Sequence, residues 1–173
     1  RMTIRTSEER DNLIEAGKRL AAVLRALKAK VAPGISTEDL DGLAEQMIRD
    51  GGDEPVFLGY TPEGAGRPYP ATLCVSINDE VVHGIPNETT RVLKEGDIVG
   101  LDLGLRHKGI VVDSAITVPV GKIGAETQKL LDTTELALQN GIAAAVIGGR
   151  VGDLSHAMER TFKGTGFSVV KVL

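Results

Sequence analysis

Two strand-like runs, Ile98 to Leu105 and Ile110 to Val118, stand with only Arg106-His107-Lys108-Gly109 between them. A link that short joins antiparallel strands, because a parallel pair needs a crossover of a dozen or more residues. The runs therefore predict a long β-hairpin. Side chains alternate across a strand. Val99, Leu101, Leu103 and Leu105 then point one way and require a core, while Ile98, Gly100, Asp102 and Gly104 point the other way. On the second strand Asp113 shares its face with Val111, Ala115 and Thr117. With His107-Lys108 as a two-residue loop, Asp102 lies directly opposite Asp113; a bulge at Gly109 slips this register by one.

Directly opposed Cβ atoms lie about 4.5–5.5 Å apart. Two carboxylates at that distance repel by roughly 3 kcal/mol at an effective dielectric near 20. A shared proton or a bound cation relieves the repulsion. The competing reading leaves both aspartates on a solvated face, screened by water. Mostly small neighbours on that face leave room above it.

The remaining elements are mostly helical. Thr6 with Glu9 is a capping-box pattern, and it opens a helix expected over Ser7 to Val31. Leu13, Ile14, Gly17, Leu20, Ala21, Leu24, Leu27 and Val31 form its expected inward stripe. Pro33-Gly34 ends it. Ser36 caps a second helix, with Leu40, Leu43, Ala44, Met47 and Ile48 inward and Gly51-Gly52 as the stop. Thr61 to Pro70 is too broken by Pro and Gly for regular structure. Thr72 to Ile77 and Glu80 to Val82 read as short strands around Asn78-Asp79. Ala125 to Ile147 is an expected helix, Asp153 to about Lys163 another, and Phe167 to Leu173 a strand. The pattern predicts an α+β fold, a mostly antiparallel sheet flanked by helices, in a single domain over residues 1–173.

Composition narrows the partners. The net charge is −4 with no basic run, so a nucleic-acid footprint is missing. No stretch is long and apolar enough to span a bilayer. Cys74 is the only cysteine, which rules out an internal disulfide and fits a cytoplasmic setting. Aromatics are only 3% of the chain, so the core must rest on Leu, Ile, Val and Ala. Arg1 ahead of Met2 reads as a cloning or processing remnant.

Several side chains carry possible chemistry. His83 lies in Val82-His83-Gly84-Ile85-Pro86, where Gly permits a sharp turn and Pro stiffens the exit. A histidine on such a loop can present its ring to a substrate, or simply cap a turn. Cys74 reads as a small core residue. Tyr69, between two prolines, braces a loop. His107 is expected in the hairpin turn, in water. Asp153, His156 and Glu159 have the helical spacing of a metal site, although a solvated helix face is the commoner reason for such charges.

At this point the residues resemble a known family. Tyr69-Pro70-Ala71-Thr72-Leu73-Cys74-Val75-Ser76-Ile77-Asn78, Val82-His83-Gly84-Ile85-Pro86, Leu93-Lys94-Glu95-Gly96-Asp97-Ile98-Val99, and Asp102 followed by Asp113 are similar to bacterial methionine aminopeptidases, in order and spacing. The resemblance implies a pita-bread fold of two pseudo-symmetric halves, of which this chain carries the amino-terminal portion. It also implies a dinuclear centre of divalent ions (Co, Mn, Fe or Zn) held by two aspartates, a histidine and two glutamates. Asp102 and Asp113 match the aspartates. His83 matches a substrate-binding histidine that acts beside the scissile peptide, and Tyr69 and Cys74 match walls of the methionine pocket. The family's ligand histidine and both glutamates fall after the stretch matching Phe167 to Leu173. Gly66 and Arg67 stand where a second tyrosine is frequent. Gly104 and Ser114 stand where threonine is usual.

The implied activity is removal of the initiator methionine from peptides and from nascent chains at the ribosome, by water activated between two metal ions. Two other readings stay open. One is a catalytically incomplete fragment or binding module of the same fold, which would self-associate or pair with the missing carboxy-terminal segment. The other is a proline dipeptidase, which the His83-Gly84-Ile85-Pro86 motif and the short amino-terminal region disfavour.

Overall fold

The computed structural model describes residues 3–61 and 63–170. It divides the chain into two compact units, Arg1–Lys122 and Ile123–Leu173.

The first unit opens with α1 (Ser7–Lys30). Thr6 and Glu9 cap it reciprocally, each side chain taking a backbone N–H of the other. Its buried stripe is Ala16, Leu20, Val23, Leu24 and Leu27. Ile14 is 52% exposed and Gly17 faces water, which corrects the expected stripe. The buried face is rotated toward Ala16 and Val23, where small and branched side chains let the helix settle on the sheet. α2 (Thr37–Asp50) begins at Ser36, whose hydroxyl accepts from Asp39 N–H at 3.0 Å. It buries Leu40, Ala44 and Ile48 and stops at Gly51-Gly52, where Gly52 takes φ 77°.

The sheet holds β1 (Glu54–Pro55), β2 (Leu73–Ile77), β3 (Ile98–His107) and β4 (Ile110–Pro119), all antiparallel, with β3 central. Leu101, Leu103, Leu105 and Val99 of β3 are fully buried beside Leu73 and Val75 of β2 and the apolar stripes of α1 and α2. This is the aliphatic core that so few aromatics required. Glu80 to Val82, expected as a strand, forms none. Asn78 turns the chain at φ 56°, and the Glu80 carboxylate takes the Ile77 N–H, so a side chain occupies a group that a strand would have paired.

The hairpin register differs from the expected one. Gly104 pairs with Asp113 and Asp102 with Ala115. The turn is Lys108-Gly109, at φ 47° and 82°, and His107 pairs with Ile110. A two-residue hairpin turn of the favoured twist needs positive φ at both central positions, which Gly109 supplies and His107-Lys108 would not. The shift is two residues, so both aspartates stay on one face as diagonal neighbours rather than direct opposites.

The second unit contains α3 (Ala125–Ala144) and α4 (Val151–Thr161). α3 ends before the expected Ile147: Val146 and Ile147 lie in water with nothing to pack against. α4 starts earlier than expected, because Asp153 acts within the first turn, accepting the Arg150 N–H at 2.8 Å, rather than as the cap. Residues 167–170 form no strand, and the rest of the expected strand, Lys171 to Leu173, lies outside the described residues, as do Arg1 and Met2.

Candidate active site

The core-facing side of β3 is filled, so its chemistry can only lie on the other face. Cys74 of β2 pairs with Asp102 of β3, which pairs with Ala115 of β4. Pairing residues share a face, so Cys74, Asp102, Asp113 and Gly104 stand together opposite the helices. Above them opens a cavity of about 550 Å³ lined by Tyr69, Cys74, His83, Asp102 and Asp113, and also by Phe57, Tyr60, Ile85 and the 65–68 loop. The five residues that the resemblance matched to a site therefore line one pocket, of a size that suits a small ligand.

Asp102 is half-buried and Asp113 exposed. Burial, then the Asp113 carboxylate, push the Asp102 pKa up to about 6, against a smaller opposing pull from His83. A carboxyl so placed favours a proton or a cation beside it. Cys74 is buried, and that burial raises its thiol to about 11. It is therefore a neutral wall and not a thiolate ligand at ordinary pH. Burial also raises the Tyr69 phenol above its ordinary value. Its hydroxyl lies 3.1 Å from Leu73 O and 3.2 Å from Gly84 O, and its ring meets Phe57 edge-on at a 6.4 Å centroid separation.

His83 takes φ 61°, a left-handed conformation that costs a non-glycine residue about 1–2 kcal/mol. Gly84 follows, where an added Cβ would sit 2.1 Å from Val75 O, so only glycine fits. The strained pair turns the exposed histidine into the pocket mouth. Arg67 and Glu88 form an ion pair at the same rim.

One expectation is corrected. His107 is not in the turn and not in water. It ends β3 on the core face, 7% exposed, with Nδ1 2.7 Å from Asp53 Oδ1. Asp53 also lies 3.4 Å from Arg19 Nη1. Asp153 and His156 line a separate polar hollow on the second unit, and no group of three or more His, Cys, Asp or Glu among the described residues has the arrangement of a metal site. The sequence reading missed Phe57, Tyr60 and Ile85 as lining residues. Ile85 was legible from its place beside His83, but Phe57 and Tyr60 reach the pocket only through the loop before Tyr69. Asp41 was missed too: its buried carboxylate, raised chiefly by that burial, accepts the N–H groups of Thr72 and Leu73 at 2.9 Å.

A family model described as metallopeptidase family M24 matches residues 11–172. The chain is 43% identical over 165 residues to the methionine aminopeptidase of Aquifex aeolicus, covering 95% of this chain and 64% of the relative. It is 46% identical over 155 residues to methionine aminopeptidase 1 of Mycobacterium tuberculosis, covering 90% and 56%. A methionine aminopeptidase structure from Thermotoga maritima superposes with a TM-score of 0.86 at 32% identity, covering 98% of this chain and 66% of that one. The chain thus spans roughly 56–66% of the length of these relatives.

Proposed function

This chain belongs to metallopeptidase family M24 and has its pita-bread fold; from that premise we propose that it serves removal of the N-terminal methionine from peptides and nascent proteins. The observation that carries this reading is the meeting of Asp102, Asp113, His83, Tyr69 and Cys74 in one pocket. We read residues 1–173 as part of one catalytic domain, which a family match running over both units supports. The cytoplasm, where nascent chains emerge, is the matching location. Among the described residues, no helix is long and apolar enough to cross a membrane.

Asp102 and Asp113 offer hard oxygen donors on one face, and the upward shift of Asp102 marks a place where positive charge would be welcome. They fit two divalent ions as part of a larger ligand set, with Co, Mn, Fe or Zn as occupants. Such ions, when bound, supply water with a pKa lowered toward neutrality. The chain's own residues do the rest. The neutral Cys74 thiol, Tyr69, Phe57 and Ile85 make an unbranched, apolar slot for a thioether side chain. The His83 imidazole, at the rim, hydrogen-bonds the peptide beside the scissile bond. The half-buried floor leaves the Asp102 carboxyl only partly open to bulk water.

The second reading is a catalytically incomplete member of the fold that self-associates or pairs with a further segment. What favours it is that, among the described residues, no group of three or more His, Cys, Asp or Glu has the arrangement of a metal site. One experiment addresses both. Calorimetric titration of the 173-residue chain with Mn²⁺ should show weak binding that Asp102→Ala or Asp113→Ala abolishes, and a Met-Ala-Ser peptide should bind in a His83-dependent manner. Release of methionine should be negligible without the remaining ligands. Tight Mn²⁺ binding that survives Asp102→Ala would put the metal elsewhere and overturn the assignment.

A further inference from the structure

Among the described residues β2 pairs with a strand, β3, along one edge only, so its other edge presents backbone groups that need partners. Side chains and one loop supply them. Val75 N–H donates to Gly84 O at 2.9 Å, and Val75 O accepts from Arg91 Nη2 at 3.0 Å. Gly84 N–H donates to Ser76 Oγ at 3.2 Å. The loop that carries His83 is therefore stitched to the same strand that carries Cys74.

Arg91 is held at both ends. Its backbone N–H donates to Thr37 Oγ1 at 3.1 Å, and its carbonyl accepts from Thr37 N–H at 2.8 Å. Thr37 is fully buried at the start of α2, and its hydroxyl donates to Pro86 O at 2.8 Å, so the segment from Pro86 to Arg91 is fixed to that helix. The guanidinium then reaches back across the loop. One nitrogen takes Val75 O and another pairs with Glu80, whose second oxygen accepts the Ile77 N–H at 2.8 Å. An exposed ion pair alone contributes little. This one is different in kind, because the planar fork of arginine joins a carboxylate to a backbone carbonyl at a fixed angle, which a lysine cannot do.

We propose that Arg91, oriented by Glu80, is a positioning residue for His83. By capping Val75 O it fixes the β2 edge on which Gly84 closes, and Gly84 in turn sets the direction in which the His83 ring enters the pocket. A left-handed histidine persists only where its surroundings over-determine it, and Arg91 adds to a constraint that Ser76 Oγ and the Tyr69 hydroxyl also impose at Gly84. The consequence for substrate rests on the reading of His83 given above; the positioning itself does not.

Amide hydrogen exchange and imidazole resonances of the full 173-residue chain, followed by NMR, test this without any metal or peptide. In Arg91→Gln the Val75 and Gly84 amides should exchange about tenfold faster through local opening, and the His83 ring signals should shift. The inner amides of β3 and β4 should keep their protection. Glu80→Gln, whose side-chain oxygen can still accept from Ile77 but whose amide cannot pair with Arg91, should give the same pattern more weakly, and it serves if Arg91→Gln does not fold. Arg91→Lys should not restore the wild-type pattern. Unchanged Val75 and Gly84 protection, unmoved His83 signals, or an equal loss of protection throughout the sheet would each overturn the proposal. The reading of His83 is judged separately: if His83→Ala leaves Met-Ala-Ser binding unchanged, the substrate role fails while the positioning stands.

Discussion

Asp102 is where burial and charge meet most closely. Its carboxyl titrates near 6 in the folded chain, pushed there by burial and then by Asp113, against an unfolded value of about 3.9. The folded state holds that proton more tightly. The stability this group contributes is therefore fully present below the unfolded value and is lost as the pH rises through about 6. Other carboxyls add their own pH dependence: burial raises Asp41, while hydrogen bonds lower Asp39, Glu80 and Asp97. The informative measurement is consequently a difference. Urea unfolding of the wild type and of Asp102→Asn, without metal, should diverge between pH 4 and 7, with the wild type losing stability relative to the variant as pH rises. Parallel curves would show that Asp102 is not perturbed. His107 teaches a different lesson at the same scale. Alternation from Val99 through Leu105 already placed position 107 on the core face, so its burial was legible once the strand was allowed to continue. Its partner Asp53, 54 residues away, was not. Asp53→Ala should strip Arg19 and His107 of their shared acceptor and cost about 1–3 kcal/mol, read as a lower urea midpoint. A midpoint equal to that of the wild type would mean water replaces the carboxylate.

Among the elements, helix starts were the most legible, because capping is written within four residues: Thr6 with Glu9 acts as its spacing suggests, and Ser36 caps α2 as expected, with Asp39 as a reciprocal partner not named from the sequence. The hairpin was legible in its strands and its faces but not in its register. Register hangs on which two residues turn, and there one glycine outweighs the symmetry of the flanking runs. Pairing Gly104 with Asp113 has a structural reason as well. An added Cβ at Gly104 would lie 2.6 Å from Val56 Cγ2, 3.1 Å from Val112 O and 3.3 Å from Phe57 Cε1. The chain after β1 packs directly onto this glycine and carries Phe57 into the pocket wall. Gly104→Thr, the residue more usual in the family the chain resembles, should thus push Val56 and Phe57 outward and cost about 1–3 kcal/mol by overpacking. Denaturant unfolding, with the Phe57 ring signals as a local probe, would reveal it. If stability and ring signals stay unchanged, the 55–58 segment yields without cost, and the glycine is not required by packing.

For the whole molecule, the two units contrast in how much they bury. The first closes a core between its helices and sheet, with residues from α1, α2, β2, β3 and β4 fully enclosed. In the second, α3 buries only Ala137 and Gly141, and among the described residues none of α4 is buried. Leu136, Leu138, Ile142, Val146, Ile147 and Val151 all stand more than half exposed. Scattered apolar side chains at a surface are ordinary, but where such side chains adjoin they form the kind of patch that marks an interface. β4 adds an edge: it pairs with β3 on one side, and among the described residues no strand pairs with the other. An open edge is a template for another strand. The 173-residue chain is therefore expected to self-associate, or to capture a segment that covers these surfaces. Light scattering after size exclusion at tens of micromolar, the range in which such surfaces drive association, should show species larger than 18.3 kDa. Charged substitutions at Ile142 and Val146 should shift the population toward monomer if the second unit is responsible, and lysine substitution along the outer edge of β4 should do so if the edge is. A monodisperse monomer in the wild type would mean that the exposed apolar groups are tolerated singly, and it would favour a self-contained binding module over a catalytic chain that needs a partner segment.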